Sequence, residues 1–213
     1  ILHYSHRIMF YFTLKSAIKA FFSTNHYKHI AEKYTSDKTK LIHLPVGASI
    51  EIDTTPHKII NDNSYVLFGG YHPSKNYQLI FDTFEKAYQK GLKFQLTVIG
   101  TDKDTLIKKI SLSKDTDQYV NFLGKIDDVE VIEVFKQTQY LVSYFSDGVS
   151  TRRSSIVSAL GCGLQVITTK SEHTETCFLS NEAISLLPTN DFNFSDNLLE
   201  IIKKPKSISS DIV

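Results

Sequence analysis

Short apolar runs alternate with stretches of helical spacing along most of the chain, beginning at Tyr65. The first run covers residues 65–69, and in the stretch after it, 77–88, apolar side chains recur every three or four positions, which is the spacing of one buried helix face. Further strand-like runs follow at 94–100, 119–124, 140–145, 164–168 and 183–187, with helices predicted at 102–110, 127–135, 154–161 and 197–204. This alternation predicts βα units. The expected fold class is α/β, a Rossmann-like doubly wound parallel sheet that binds ligands at the carboxyl ends of its strands.

Residues 1–60 do not continue this repeat. The pattern there predicts a helix, a buried strand, a second helix and a short strand, at 8–19, 20–24, 25–34 and 41–45, followed by a polar connection that contains Pro56. We therefore expect four segments: the end of a preceding domain at 1–48, a linker at 49–64, the sheet domain at 65–205 and a tail at 206–213.

The composition is that of an ordinary globular protein, since 41% of the 213 residues are apolar and 22% are charged. Cys162 and Cys177 are the only cysteines, which excludes a disulfide framework and favours a reducing, cytoplasmic setting. We interpret Cys162 as a small core residue. The apolar stretch 8–22 contains Lys15 and Lys19, so it falls short of the roughly 18 uninterrupted apolar residues that a membrane span needs.

Charge is unevenly distributed, because residues 1–60 hold eight Lys and Arg against four Asp and Glu. A solvated face is the ordinary explanation of this excess. The alternative is a weak attraction to an anionic membrane surface, which would make the protein peripheral to the inner face of the plasma membrane. The excess is too small for a nucleic-acid interface. His3/His6 and His26/His29 are two spaced pairs without a third ligand, so we expect no metal site.

Three predicted strands end in glycine, at Gly69, Gly100 and Gly124. Such a glycine permits a sharp turn, and it also lets the backbone approach a ligand closely; the pattern leaves both explanations open. The two common phosphate-binding patterns, G-x-x-x-x-G-K-[ST] and a G-x-G-x-x-G after a strand, are absent. A P-loop kinase or a nicotinamide-dependent dehydrogenase is therefore not indicated.

The segment 147–155, Asp-Gly-Val-Ser-Thr-Arg-Arg-Ser-Ser, follows the fourth predicted strand and leads into its helix. It holds Arg152 and Arg153, two of the three arginines in the chain. Guanidinium groups, hydroxyls and the amides of a helix N-terminus together suit a diphosphate. Lys75, after the first strand, could add charge at the same sheet edge. Solvated loops with ordinary surface cations are the alternative for both segments.

Five stretches now resemble, in order, the nucleotide-sugar-binding domain of the retaining glycosyltransferases of family four, which have the B-type fold: residues 69–75, 96–100, 121–124, 147–150 and 159–169. Residues 44–47, Leu-Pro-Val-Gly, resemble the entry to that family's interdomain linker. The resemblance implies that 1–48 ends an acceptor domain, and that 65–205 is the donor-binding, C-terminal half of a two-domain enzyme.

The resemblance implies a retaining transfer of a sugar from a UDP- or GDP-sugar to a glycan, lipid-linked or protein acceptor, as in polysaccharide biosynthesis, without a metal or other cofactor. The catalytic residues it suggests, which would stabilise charge on the leaving diphosphate, are Lys75, Asp147, Arg152 and Arg153. The residues expected to contact the donor are Gly69, Gly70, Gly100, Gly124, Lys125, Ile126, Gly148, Val149, Ser150, Ser154 and Ser158. Glu172, His173 and Glu175 form either a sugar-binding loop or a solvated one.

Two departures from the family pattern affect these expectations. The family usually has two acidic residues eight apart, whereas here Asp147 is followed eleven positions later by Ser158, where the ribose-binding acid is expected. Gly70 or Tyr71 also stands where an arginine is common, so Arg152 or Arg153 is expected to supply that charge. The alternative is a non-catalytic, glycosyltransferase-like partner that stabilises another subunit. From its length we expect the chain to be a partial enzyme that binds nucleotide poorly and transfers no sugar alone.

Overall fold

The computed structural model describes residues 4–52 and 63–205, which fall into two compact units. One unit comprises the described residues up to Gly47 together with Ser150–Arg153, and the other comprises the rest. The predicted linker 49–64 lies mostly outside the described residues, and the predicted tail 206–213 lies wholly outside them.

The first unit is small and contains two helices and two parallel strands. Its elements are α1 (Tyr4–Ser16), β1 (Ala20–Phe22), α2 (Asn25–Ala31), a 3₁₀ turn (Lys38–Lys40) and β2 (Leu41–His43). Leu14, Ala31 and Leu41 form its core. A strand is present where one was predicted at 20–24, but the predicted length and burial are wrong, because β1 ends at Phe22 and Phe21 is 60% exposed. The chain turns there, since the Thr24 side chain accepts a hydrogen bond from the Tyr27 amide and caps α2.

The second unit contains a six-stranded parallel sheet. Its strands are β3 (Ser64–Phe68), β4 (Gln95–Ile99), β5 (Val120–Gly124), β6 (Tyr140–Val142), β7 (Gln165–Lys170) and β8 (Ile184–Pro188). Their order across the sheet is β5-β4-β3-β6-β7-β8, with every neighbouring pair parallel. This is the order of the doubly wound nucleotide-binding folds, and it confirms the expected fold class.

Helices cover both faces of this sheet. Successive side chains of each strand point to opposite sides, so one strand contributes to two cores. Tyr65 and Leu67 of β3 join one core, with helices α3 (Tyr77–Gln89), α4 (Lys103–Ile107) and α8 (Asp191–Lys203). Val66 joins the other core, with α5 (Asp128–Lys136), α6 (Ser154–Gly161) and α7 (Thr176–Leu179). The continuous apolar runs predicted as strands are therefore those of a sheet buried on both faces.

Several element boundaries differ from the predictions. Helix α8 begins at Asp191, six residues before the predicted start, because the Asn190 side chain accepts a hydrogen bond from the Asn193 amide and Phe194 is buried in the core. Helix α7 was not predicted, since it is a single turn with one buried side chain, Phe178. Strand β6 ends at Val142, three residues early.

Within the two described ranges, no helix is long and apolar enough to cross a membrane. The attraction of residues 1–60 to a membrane surface stays a prediction.

Candidate functional site

The strand order places a crevice between the loops that follow β3 and β6. These strands are neighbours at the centre of the sheet, and the chain proceeds from β3 to β4 and β5 on one side and from β6 to β7 and β8 on the other. Loops that leave adjacent strands in opposite directions open a crevice at the carboxyl edge, where ligands bind in folds of this type. We call residues 69–76 the β3 loop and residues 143–149 the β6 loop.

The three strand-exit glycines lie side by side at this edge. The Gly69 amide donates to the Ile99 carbonyl at 2.9 Å, and the Gly100 amide donates to the Gly124 carbonyl at 2.6 Å. A Cβ atom on Gly100, which has a φ of 90°, would lie 2.9 Å from the Gly69 Cα. Gly100 is thus required by the packing of one strand exit against the next, whether or not a ligand approaches it.

The β3 loop carries Lys75, and most of its hydrogen bonds join residues that are close in the chain. The Lys75 ammonium group donates to the Gly70 carbonyl at 3.0 Å, and a Cβ atom on Gly69 would lie 2.9 Å from the Lys75 Nζ. His72 accepts a hydrogen bond from the Ser74 amide at the start of a 3₁₀ turn (Pro73–Lys75). Asn76, at a φ of 39°, then caps α3 through the Leu79 amide. The Lys75 side chain thus folds back over Gly69 and Gly70 and is half-buried.

The β6 loop carries Asp147 and is held by the segment after β7. The Thr169 hydroxyl accepts from the Phe145 amide at 2.9 Å and donates to the Phe145 carbonyl at 2.7 Å. The Ser171 hydroxyl donates to the Asp147 carbonyl at 2.7 Å, and the Val149 amide donates to the Thr169 carbonyl at 2.8 Å. These four bonds determine the course of the backbone on either side of Asp147.

The two loops adjoin one another. The Ser146 amide donates to the Ser74 carbonyl at 3.1 Å, which brings the loops of Lys75 and Asp147 together. A small pocket beside this link is lined by Lys75, Tyr77, Ser143 and Tyr144, among others. The Tyr144 hydroxyl donates to the Thr189 carbonyl at 2.7 Å, and burial, together with the Asp191 carboxylate 3.2 Å away, raises the pKa of Tyr144.

Ser150, Arg152 and Arg153 belong to the first unit, whereas Lys75 and Asp147 belong to the second. The Arg152 guanidinium donates to the Tyr27 hydroxyl at 3.1 Å and lies 5.8 Å from the centre of that ring. The Ser150 hydroxyl is buried and has no hydrogen-bond partner among the described residues. A role for these residues toward a diphosphate stays a prediction, and Arg152 has a local structural partner.

The remaining predicted contact residues differ in position. Ser154 begins α6 and Gly148, at a φ of 76°, forms the turn after Asp147. Lys125 is exposed at the exit of β5, whereas Ile126 packs against the second core. Ser158 is fully buried within α6, where its hydroxyl accepts from the Ser49 amide at 2.9 Å. Ser158 therefore presents no surface to a ribose, and the prediction that it contacts one has no support in this geometry.

Glu172 and His173, which follow β7, are exposed, and Glu175 is half-buried. The Glu172 carboxylate lies 3.4 Å from the Nε2 atom of His173, and a sugar-binding role for this loop stays a prediction. Over the part of the chain that the structure describes, no group of three His, Cys, Asp or Glu residues could hold a metal ion.

Sequence reasoning missed four hydroxyl residues that shape this edge, namely Tyr77, Thr101, Thr169 and Ser171. Tyr77 was identified only as an apolar position of a helix. Thr169 lay within a recognised motif, but its bond to Phe145 spans 24 residues. The one usable signal was position, because Thr101, Thr169 and Ser171 all lie just after or at the end of a predicted strand.

The fold and the edge define a doubly wound half-domain of the kind found in B-type glycosyltransferases. Residues 62–204 match the family of glycosyl transferases group 1, and the chain belongs to that family. No curated protein matches the chain.

Solved structures share the fold at low sequence identity. The pneumococcal O-GlcNAc transferase GtfA, solved with UDP and GlcNAc, superposes with a TM-score of 0.70 at 12% identity over 92% of this chain and 40% of its own. TarM superposes with a TM-score of 0.68 at 13% identity, over 94% of this chain and 39% of its own. Sucrose-phosphate synthase from Thermosynechococcus elongatus superposes with a TM-score of 0.68 at 12% identity, over 95% of this chain and 53% of its own. The chain thus spans about two-fifths to one-half of these proteins.

Proposed function

We propose that this chain forms the donor-binding half of a retaining glycosyltransferase, which transfers a sugar from a UDP- or GDP-sugar to a glycan, lipid-linked or protein acceptor. The observation that carries the proposal is the junction of the β3 and β6 loops at the crevice of the sheet, where the Ser146 amide bonds the Ser74 carbonyl. The two joined loops carry a half-buried cation, Lys75, and a half-buried carboxylate, Asp147. Membership of the glycosyl transferases group 1 family supports the assignment.

The chemistry that such an edge supports is stabilisation of a leaving group. Negative charge develops on the diphosphate as the bond to the sugar breaks, and a fixed cation beside it lowers the energy of the transition state. Lys75 would supply that charge from a defined position, since its ammonium group lies beside Gly69 and donates to the Gly70 carbonyl. Asp147 would lie toward the sugar. This mechanism uses no metal ion.

A second candidate function, a non-catalytic partner with the same fold, is favoured by Ser158. The hydroxyl at this position is buried and bonded to Ser49, so the edge lacks the acid expected to hold the ribose. Such a protein would bind nucleotide sugars weakly or not at all. Lys75 and Asp147 favour the enzyme.

Titration with nucleotides separates these functions. We would follow the amide NMR spectrum of this chain while adding UDP, GDP, UDP-glucose, UDP-GlcNAc or GDP-mannose, because NMR detects affinities as weak as millimolar. The enzyme assignment predicts saturable shifts in the β3 and β6 loops for one base. Absence of binding by every nucleotide would overturn it in favour of the partner.

A lysine substitution tests the role of the cation. Lys75→Met should weaken UDP or GDP binding by about tenfold or more, since a charge-assisted hydrogen bond contributes about 1.5–3 kcal/mol. Lys93→Met is the matched control, because Lys93 is an exposed lysine that precedes β4, at the opposite edge of the sheet. Equal affinities for the Lys75 and Lys93 variants would contradict the assignment of Lys75.

A further inference from the structure

Two buried hydroxyl groups converge on a single carbonyl at the start of the β3 loop. The Tyr77 hydroxyl donates to the Gly69 carbonyl at 3.0 Å, and the Thr101 hydroxyl donates to the same oxygen at 3.3 Å. Tyr77 and Thr101 are each 4% exposed. Tyr77 comes from the first turn of α3, whereas Thr101 follows β4, so two separate elements hold this one oxygen.

The amide on the other side of the same peptide bond is left without a partner. Within the described residues the Gly70 N–H makes no hydrogen bond, although the Gly70 carbonyl accepts one from Lys75 at 3.0 Å. Gly70 is exposed, and a Cβ atom placed on it would meet only the Gly100 carbonyl oxygen, at 4.0 Å. Gly70 therefore offers a donor in an accessible place, at the crevice between the two central strands.

Peptide geometry links these two observations. In a trans peptide unit the C=O and the following N–H point in opposite directions. Because two hydroxyl groups hold the Gly69 oxygen, the Gly70 N–H is held pointing away from Tyr77 and Thr101. We propose that Tyr77 and Thr101 are positioning residues, which present the Gly70 amide to a diphosphate oxygen of the donor nucleotide. This inference rests on the proposed function and identifies a second donor beside Lys75.

A backbone amide held in this way suits the task. A donor that is already oriented requires no reorganisation when negative charge develops on the diphosphate. The two hydroxyl groups satisfy the Gly69 carbonyl, so Lys75 does not need to bond it. Lys75 bonds the next carbonyl, that of Gly70, and its charge lies beside the Gly70 amide. The anion would then be bound by an ammonium group and an amide from the same short loop.

The test compares UDP with uridine, which lacks the phosphates. In the unaltered chain the Gly70 amide proton should move downfield on titration with UDP and stay in place with uridine. The double variant Tyr77→Phe/Thr101→Val keeps the shapes of both side chains and removes both hydroxyl groups. It should weaken UDP binding by about five- to tenfold, which is less than the full loss of one hydrogen bond to a charged group because the amide is no longer held but is still present, with uridine affinity unchanged.

Matched controls make the same chemical changes elsewhere in the unit. Tyr65→Phe removes a buried hydroxyl that bonds Asn63 at the opposite end of the sheet, and Thr116→Val removes one that bonds the Ser113 carbonyl. Neither should change the affinity for UDP, although each should lower the melting temperature, as we expect of the double variant.

Four outcomes would overturn the inference. One is a Gly70 amide that does not move when UDP binds, and another is an equal loss of UDP and uridine affinity in the double variant, which indicates general loosening of the loop. If the unaltered chain binds no nucleotide, the proposed function fails and the inference fails with it. If UDP binds the double variant as tightly as the unaltered chain, only the positioning role fails.

Discussion

The β3 and β6 loops lie side by side at the same sheet edge, yet different parts of the chain hold them. Most bonds of the β3 loop join residues within eight positions, as between Tyr77 and Gly69 or Lys75 and Gly70. The bonds of the β6 loop to Thr169 and Ser171 span 20 to 24 positions. The first loop is thus a local motif, whereas the second depends on a neighbouring strand. We expect substitutions at the β6 loop to have larger effects.

The largest effect is expected at the turn after Asp147. Gly148 has a φ of 76°, and a Cβ atom there would lie 2.6 Å from the Ser171 amide nitrogen. Gly148→Ala should lower the free energy of unfolding by about 3 kcal/mol or more, since it combines left-handed strain with a collision against backbone. Urea denaturation measures this change.

Gly91→Ala separates the two contributions. Gly91 has nearly the same φ, 73°, but a Cβ atom there meets nothing within 4 Å. The cost should therefore be about 1 kcal/mol, that of the strain alone. Equal losses for the two variants would show that Ser171 does not hold the β6 loop.

The next largest effect concerns the hydroxyl that closes the start of the β6 loop. Thr169→Val preserves the shape of a fully buried side chain but removes the hydroxyl that accepts from the Phe145 amide and donates to the Phe145 carbonyl. We expect a loss of about 2 kcal/mol by urea denaturation, because two buried hydrogen bonds are lost at once.

Thr97→Val is the control for this change. Thr97 lies on β4 and is 7% exposed, and its hydroxyl makes no hydrogen bond within residues 4–52 and 63–205. Its replacement should change stability by less than about 0.5 kcal/mol. A Thr169 variant as stable as the Thr97 variant would contradict the dependence of the β6 loop on β7.

A smaller effect is expected at the end of the β3 loop. Asn76 caps α3 from a left-handed conformation, at a φ of 39°. Asn76→Ala should cost about 1.5 kcal/mol in thermal or urea denaturation, because it removes the cap and places alanine in a strained conformation. Asn190→Ala, which removes the cap of α8 at an ordinary φ of −77°, should cost about 1 kcal/mol. A Gly substitution at 76 that proved worse than Ala would refute the assigned strain.

The smallest effect is a pH dependence. Burial raises the pKa of Tyr77 to about 12, whereas an unfolded tyrosine titrates near 10. Between pH 10 and 12 the unfolded chain therefore loses this proton before the folded one, and stability falls as the pH rises. Tyr77→Phe should remove about 1 kcal/mol of the loss between pH 9 and pH 11. Identical pH slopes for the two proteins in urea denaturation would exclude this contribution.

Much of the sheet unit could be predicted from the sequence. Helix α6 was predicted at its observed bounds, and all six strands of the large sheet were found, because apolar runs and helical spacing report burial directly. The first unit was predicted less well. Strand β1 contains two phenylalanines, but Phe21 is 60% exposed. Helices α1 and α2 pack on one face of the two-stranded sheet, and Phe21 points to the other face.

The candidate site divides in the same way. Lys75 and Asp147 were predicted from their positions after strands and from the family resemblance, and the structure brings their loops together, while their roles stay predictions. Arg152 and Ser158 occupied equally suggestive positions in the sequence, yet the structure gives them the partners Tyr27 and Ser49. Spacing along the chain could not reveal these bonds, because each joins residues more than a hundred positions apart.

The amino-acid sequence alone determined the α/β class, the succession of βα units and the glycine-ended strands, since these follow from hydrophobic periodicity and from local backbone freedom. Only the tertiary structure decided which hydroxyl groups hold the two loops. Hydrogen bonds from Thr101 to Gly69 and from Ser171 to Asp147 form because parallel strands that are distant in the chain end at one edge. Their partners are therefore selected by strand order.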